Sequence, residues 1–206
     1  GGNALTGAVT FTSTDTNAND AESVALTNTT ATILGGTTET GDFTLNSNGG
    51  VTQTGALDID GTTSITESAD DADIALTNAD NALTGAITVV SDDTDGDNAE
   101  DIDITNSVAT VLGGTTQSGT LDVVSSAGNI TQTGALDVDS TSSFTTEADD
   151  AIITLTNGAN ALTGTVTFAS TDTNANDAES VSLTNTVATV LGGSTESGDF
   201  TLNSNG

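Results

Sequence analysis

The chain has 206 residues, with thirty Asp and Glu set against no Lys, Arg or His, for a formal net charge of −30. A chain without cations cannot neutralise nucleic-acid phosphates and is repelled by anionic membrane surfaces, and the absence of Cys excludes thiolate metal sites and thiol nucleophiles. With 33% apolar and only 15% charged residues it still has the material for a packed core and is expected to fold.

The phrase Asn-Ala-Leu-Thr-Gly begins at Asn3, Asn81 and Asn160, in steps of 78 and 79 residues. Such self-similarity predicts one structural unit copied along an axis. The expected organisation is a single continuous solenoid over 1–206, with copies at 3–80, 81–159 and a partial 160–206. Residues 1–49 match 158–206 at 41 of 49 positions, whereas only about half of Asn3 to Ser47 matches copy two, so a larger unit of 157 residues is also indicated. The chain reads as an excerpt from a longer array.

Along copy one, apolar and polar residues alternate in Val9-Thr10-Phe11, Val24-Ala25-Leu26, Phe43-Thr44-Leu45, Leu57-Asp58-Ile59 and Ile74-Ala75-Leu76. Period two over short runs, punctuated by Gly, Asn and Asp, predicts half-buried strands. With few hairpin signals and no helical spacing, the pattern points to a parallel β-helix. Starting coils at Val24, Val51, Ile74 and Ile102 predicts about three strands per coil and three coils per repeat. Phe11 and Phe168 align with Val89, Phe43 and Phe200 with Leu121, and Phe144 with Ile65, so all five aromatics are expected in the core. Asn28, Asn78, Asn106, Asn157 and Asn185 follow strand-ending Thr residues and are expected to form ladders at the bends. Gly35-Gly36, Gly113-Gly114 and Gly192-Gly193 read as turns.

An acidic stretch recurs in each copy. It contains Asp15, Asn17, Asn19, Asp20 and Glu22, then Asp93, Asp95, Asp97, Glu100 and Asp101, then Asp172, Asn174, Asn176, Asp177 and Glu179. Oxygen ligands at alternate positions followed by Glu suit Ca²⁺, which takes six to eight hard oxygen donors; the bland reading is a solvated Asp/Asn loop. The sixth position lacks the EF-hand Gly and the twelfth is Leu26, Ile104 or Leu183, so a helix-loop-helix site is not expected. A second acidic turn holds Glu67, Asp70, Asp71 and Asp73, matched by Glu147, Asp149 and Asp150. Paired carboxylates serve glycoside hydrolysis, but these recur with the repeat and no His, Lys, Arg or Tyr stands by, so no enzyme is expected. Thr-x-Thr triplets such as Thr10-Phe11-Thr12 and Thr52-Gln53-Thr54 raise an ice-binding reading, which the scatter of the triplets over different strands disfavours.

The phrases ANALTGTVTF (159–168), ATVLGGTTQSG (109–119), GNITQTGALDV (128–138) and AIITLTN (151–157) resemble the tandem coils of filamentous-haemagglutinin-like repeat regions in giant bacterial surface adhesins of two-partner secretion or autotransporter type. The resemblance implies a right-handed parallel β-helix (β-solenoid), export to the cell exterior, and a role as adhesin, stalk or filament. Eight coils about 4.8 Å apart would make a rod of about 38 Å. Its charge spacing of about 1.3 Å would be denser than the ~1.7 Å of duplex DNA. The expectation is therefore a non-catalytic structural rod, extracellular or at the cell surface, that self-associates and is stabilised or bundled by divalent cations. A receptor- or glycan-binding adhesin module is the alternative.

Overall fold

The computed structural model describes residues 2–13, 22–91, 100–117, 119–170 and 179–205. Among these the regular structure is all strand. The first copy contributes β1 (Ala8–Thr12), β2 (Val24–Asn28), β3 (Thr32–Glu39), β4 (Phe43–Ser47), β5 (Val51–Gln53), β6 (Leu57–Ile59), β7 (Thr63–Glu67) and β8 (Ile74–Leu76). The second contributes β9 (Ala82–Leu83), β10 (Ala86–Ser91), β11 (Ile102–Asn106), β12 (Thr110–Gln117), β13 (Leu121–Ser125), β14 (Ile130–Gln132), β15 (Leu136–Val138), β16 (Ser142–Thr146) and β17 (Ile153–Leu155). The third contributes β18 (Ala161–Leu162), β19 (Thr165–Ser170), β20 (Val181–Asn185), β21 (Val190–Thr195) and β22 (Phe200–Ser204).

Every pairing between these strands is parallel, and the chain alternates between two facing sheets as it climbs. The expected parallel β-solenoid is therefore the fold. Its inner faces form continuous columns. In one sheet Leu26, Leu45, Ile65, Val89, Thr115 and Leu136 lie on successive levels. In the other, Val51, Ile74, Ile102, Leu121, Ser142 and Val166 do the same. Each apolar member removes its neighbours above and below from water, so burial is nearly complete along the axis. Phe43, Phe144 and Phe168 are fully buried, and Phe11 and Phe200 pack against the same core. Phe144 stacks on Phe168 at 5.8 Å, while Phe11 meets Phe43 and Phe168 meets Phe200, each at 6.0 Å, across the two sheets.

The coil differs from the expected three-strand unit in one respect. Only Thr29, Thr30 and Ala31 separate β2 from β3, so the chain crosses directly from one sheet to the other there, and Thr32 rather than Val24 lies under Val51. The steps from Val51 to Ile74 and from Ile74 to Ile102 are as expected. Each turn thus holds two sheet segments. One repeat contains seven such segments, an odd number, so β2, β11 and β20, which are equivalent in sequence, fall in alternating sheets. Seven full turns separate Val24 from Val181, and only after those 157 residues does the pattern return to its starting sheet. Copies one and three, the more alike in sequence, occupy the same sheets, and copy two occupies the opposite ones.

The Gly-Gly pairs are not turns. They are bulges inside β3, β12 and β21, where Thr10 skips to Gly36, Thr88 to Gly114 and Thr167 to Gly193. Gly36 and Gly114 take φ of 130° and 139°, which a side chain resists. The bulge bends one long strand so that it pairs with two short ones, β3 with β5 and β6, and β12 with β14 and β15.

Candidate acidic edge sites

The bends between sheets form two edges along the rod, and the sharp ones are held by buried Asn side chains. Asn28 accepts the Leu5 N–H at 2.8 Å and donates to the Leu5 and Ala31 carbonyls. Asn106 and Asn185 do the same with Leu83 and Leu162. These residues clamp the backbone of the preceding turn instead of stacking on one another as expected. Asn78 and Asn157 are only half-buried and accept the N–H two residues on, from Asp80 and Ala159. Sequence reasoning missed a second pair of clamps, Asn81 and Asn160, which are fully buried and joined to Gln53 and Gln132. The signal was present: each opens a copy of the Asn-Ala-Leu-Thr-Gly phrase.

Acidic groups collect at the same edges. After β7 and after β16 the chain turns through Asp71 (φ 56°) and Asp150 (φ 62°), a left-handed conformation that Asp tolerates better than most residues. The turn aims the Asp71 N–H at Glu100 Oε1 (3.2 Å) and the Asp150 N–H at Glu179 Oε1 (3.0 Å). Glu100 and Glu179 are fully buried, while Asp70, Asp71, Asp149 and Asp150 are exposed. Carboxylate oxygens of Asp149, Asp150 and Glu179 lie within 4.8 Å of one another. Glu179 Oε2 also accepts the Ser197 hydroxyl, as Glu22 Oε2 accepts Thr40 Oγ1. Asp101 is half-buried, accepts the Thr120 N–H at 2.7 Å, and donates its own N–H to Asp73 Oδ1. Because copies alternate between sheets, the Glu100 group sits on one edge and the Glu22 and Glu179 groups on the other.

Of the residues expected to ligate a cation, Glu22, Glu100, Asp101 and Glu179 are thus placed at the edges. Asp15, Asn17, Asn19, Asp20, Asp93, Asp95, Asp97, Asp172, Asn174, Asn176 and Asp177 lie outside the described residues. Asp149 and Asp150 join Glu179 from a turn that the sequence had set apart as a separate constellation. The supposed match of Glu67 with Glu147 does not hold. Glu67 points inward at the level of Ser91, its counterpart in copy two is the buried Thr146, and Glu147 is exposed.

Three carboxylates at this separation fit a shared hard cation, since two oxygens about 2.4 Å from one ion span at most about 4.8 Å. Other acids are perturbed by their settings. Asp42 accepts both the N–H and the hydroxyl of Thr62 at 2.8 Å, which holds its carboxyl below the ordinary value. On β11, burial pushes Asp103 up, and the nearby Asp122, Asp101 and Asp73 push it further. Asp103 and Asp122 are direct cross-strand partners, whereas the equivalent pairs are Ala25 with Thr44 and Ser182 with Thr201. Burial also raises Glu67, against the hydrogen bonds from Ala69 and Ser91 that favour its charged form.

Fold and edges together define a tandem-repeat parallel β-solenoid with buried Asn clamps and acidic bends. Residues 21–90 and 99–169 match the family described as repeats of unknown function, DUF5649, and the chain belongs to that family. No curated protein and no solved structure matches it.

Proposed function

We propose that this chain is a structural rod: a non-catalytic solenoid segment of an extracellular filament or surface adhesin, whose acidic edges take up divalent cations. The observation that supports this best is the unbroken inner column, in which successive turns bury one another with no interrupting insertion among the described residues. Such a stack resists bending because each turn is hydrogen-bonded to the next through both sheets. The residues at its edges offer hard oxygen donors and no cation of the chain's own. Divalent ions shared within one edge would stiffen the rod, and ions shared between edges would join rods side by side, making a second copy its partner.

The test is thermal unfolding and light scattering in chelator, in Ca²⁺, and in Na⁺ at matched ionic strength. The expected outcome is a higher Tm in Ca²⁺ than in matched Na⁺, reduced in the Asp149→Asn/Asp150→Asn double variant. Equal stabilisation by Na⁺ would reduce the edges to screened surface charge. Small-angle scattering that gave a flexible or globular particle would overturn the rod itself.

A further inference from the structure

Glu39 is an anomaly in a chain without cations. Its side chain is 2% exposed, it points inward at the end of β3 on the level of Ile59, and among the described residues neither carboxyl oxygen has a hydrogen-bond partner. The buried hydroxyls of Thr37 and Thr63 are likewise unpartnered. The ionisable groups on the elements around it are all acids. Asp58 and Asp60 are exposed on and after β6, Asp42 is exposed in the following bend, Glu22 is half-buried at the edge, and Glu67 is buried on β7 of the facing sheet. Strand β1, on the other side, carries no ionisable residue. The chain has no cation to favour a negative charge at this position and no described neighbour hydrogen-bonds it, and an unpaired buried carboxylate is costly enough that such groups neutralise instead.

Copy two shows what the position accepts. There the residue is Gln117, 4% exposed, on the level of Val138, and its amide donates to the Gly119 carbonyl two residues on, at 3.4 Å. A carboxylate has no hydrogen to donate, but a carboxylic acid has one, and Gly41 stands two residues after Glu39 as Gly119 does after Gln117.

We propose that Glu39 is an interior proton-binding site: the closed solenoid holds it as the neutral acid, and loss of that proton loosens the turn formed by β3 and β6, while the matching turn at Gln117 does not respond. Burial pushes the Glu39 carboxyl above its ordinary value of 4.5, in agreement with this. A folded-state value above the unfolded one means that the folded form binds the extra proton. The stabilisation is then complete below 4.5 and is lost as pH rises through the raised value. The inference does not depend on what the rod binds.

The experiment is a carbon-13 carboxyl NMR titration of the whole chain labelled at Glu, together with thermal unfolding at about pH 3.5 and about pH 7, on the native chain, Glu39→Gln and Gln117→Glu. The signal that disappears in Glu39→Gln should titrate above the ordinary glutamate range. That variant should have a higher Tm than the native chain at neutral pH and the same Tm in acid. Gln117→Glu should install a second such titration and lower Tm at neutral pH only. A Glu39 signal titrating at or below the ordinary value, a lower Tm for Glu39→Gln at neutral pH, or an equal loss at both pH values in Gln117→Glu would overturn the proposal.

Discussion

Replacing Asn81 with Ala tests whether the buried clamps hold the turns together. The Asn81 side chain is fully buried and bonds three turns at once. Its Oδ1 accepts the Leu57 N–H at 2.9 Å and Gln53 Nε2 at 2.8 Å; its Nδ2 donates to the Leu76 and Thr105 carbonyls, each at 3.1 Å, and to Gln53 Oε1. Truncation strands the Leu57 N–H and removes one bond each from the Leu76 and Thr105 carbonyls, while Gln53 keeps its bonds to Gly55 and Asn78. A buried donor or acceptor left unsatisfied costs about 1–3 kcal/mol. One fully stranded donor plus the partial losses gives about 3 kcal/mol, and at roughly 2–4 °C per kcal/mol for a chain of this size Tm should fall by about 6–12 °C. The assay is thermal unfolding by circular dichroism at fixed pH and salt, with amide exchange at Leu57 as the local readout. Exchange at Leu57 should accelerate well beyond that at its copy-two equivalent, Leu136, which keeps Asn160. A Tm within about 2 °C of the native chain, less than one kcal/mol by the same conversion, would refute the reasoning, as would unchanged protection of Leu57.

Asp103→Ser, which installs the copy-three residue, should stabilise the chain at neutral pH by about 0.5–1 kcal/mol, the usual scale for like charges on adjacent strands. The sign follows from its raised carboxyl: its favourable share is present below the ordinary value of 3.8 and lost as pH rises through the raised one, so the gain should vanish in acid, as unfolding at both pH values would show. Gly134→Ala should be severely destabilising, because the added Cβ would lie 1.7 Å from the Gly113 carbonyl oxygen at the bulge, whereas Gly158→Ala, with nothing within 4 Å, should be tolerated; soluble yield and Tm of the two variants compare them directly.

The period-two runs and the alignment of the five Phe residues were enough to read the solenoid and most of its core from the sequence, because apolar columns leave a direct trace in the chain. The two-sheet turn left none. Thr32, Thr37 and Thr63 point inward, yet as polar residues they did not register as core, and the grouping into three strands followed from counting only apolar positions. Thr32 is accommodated by hydrogen bonds to Asn28 and Ser47, which a one-dimensional pattern does not reveal. Glu100 and Glu179 were read as loop ligands and Glu67 as part of an acidic turn, Glu39 was not singled out, and the burial of all four went unseen because composition counts carboxylates without saying which way they face. The Gly-Gly pairs were misread because a bulge and a turn ask for the same residue.

The odd count of segments per copy has a consequence for how a gene encoding such an array can change length. Losing or gaining one copy by slippage or unequal crossing-over leaves the reading frame of the fold intact, since the next turn still stacks, but it rotates everything downstream by half a turn. Features that had shared an edge with the upstream part would then face away from it. Losing or gaining two copies restores every downstream group to its original side. Alleles differing by even numbers of copies should therefore be interchangeable in any lateral assembly, and those differing by odd numbers should not.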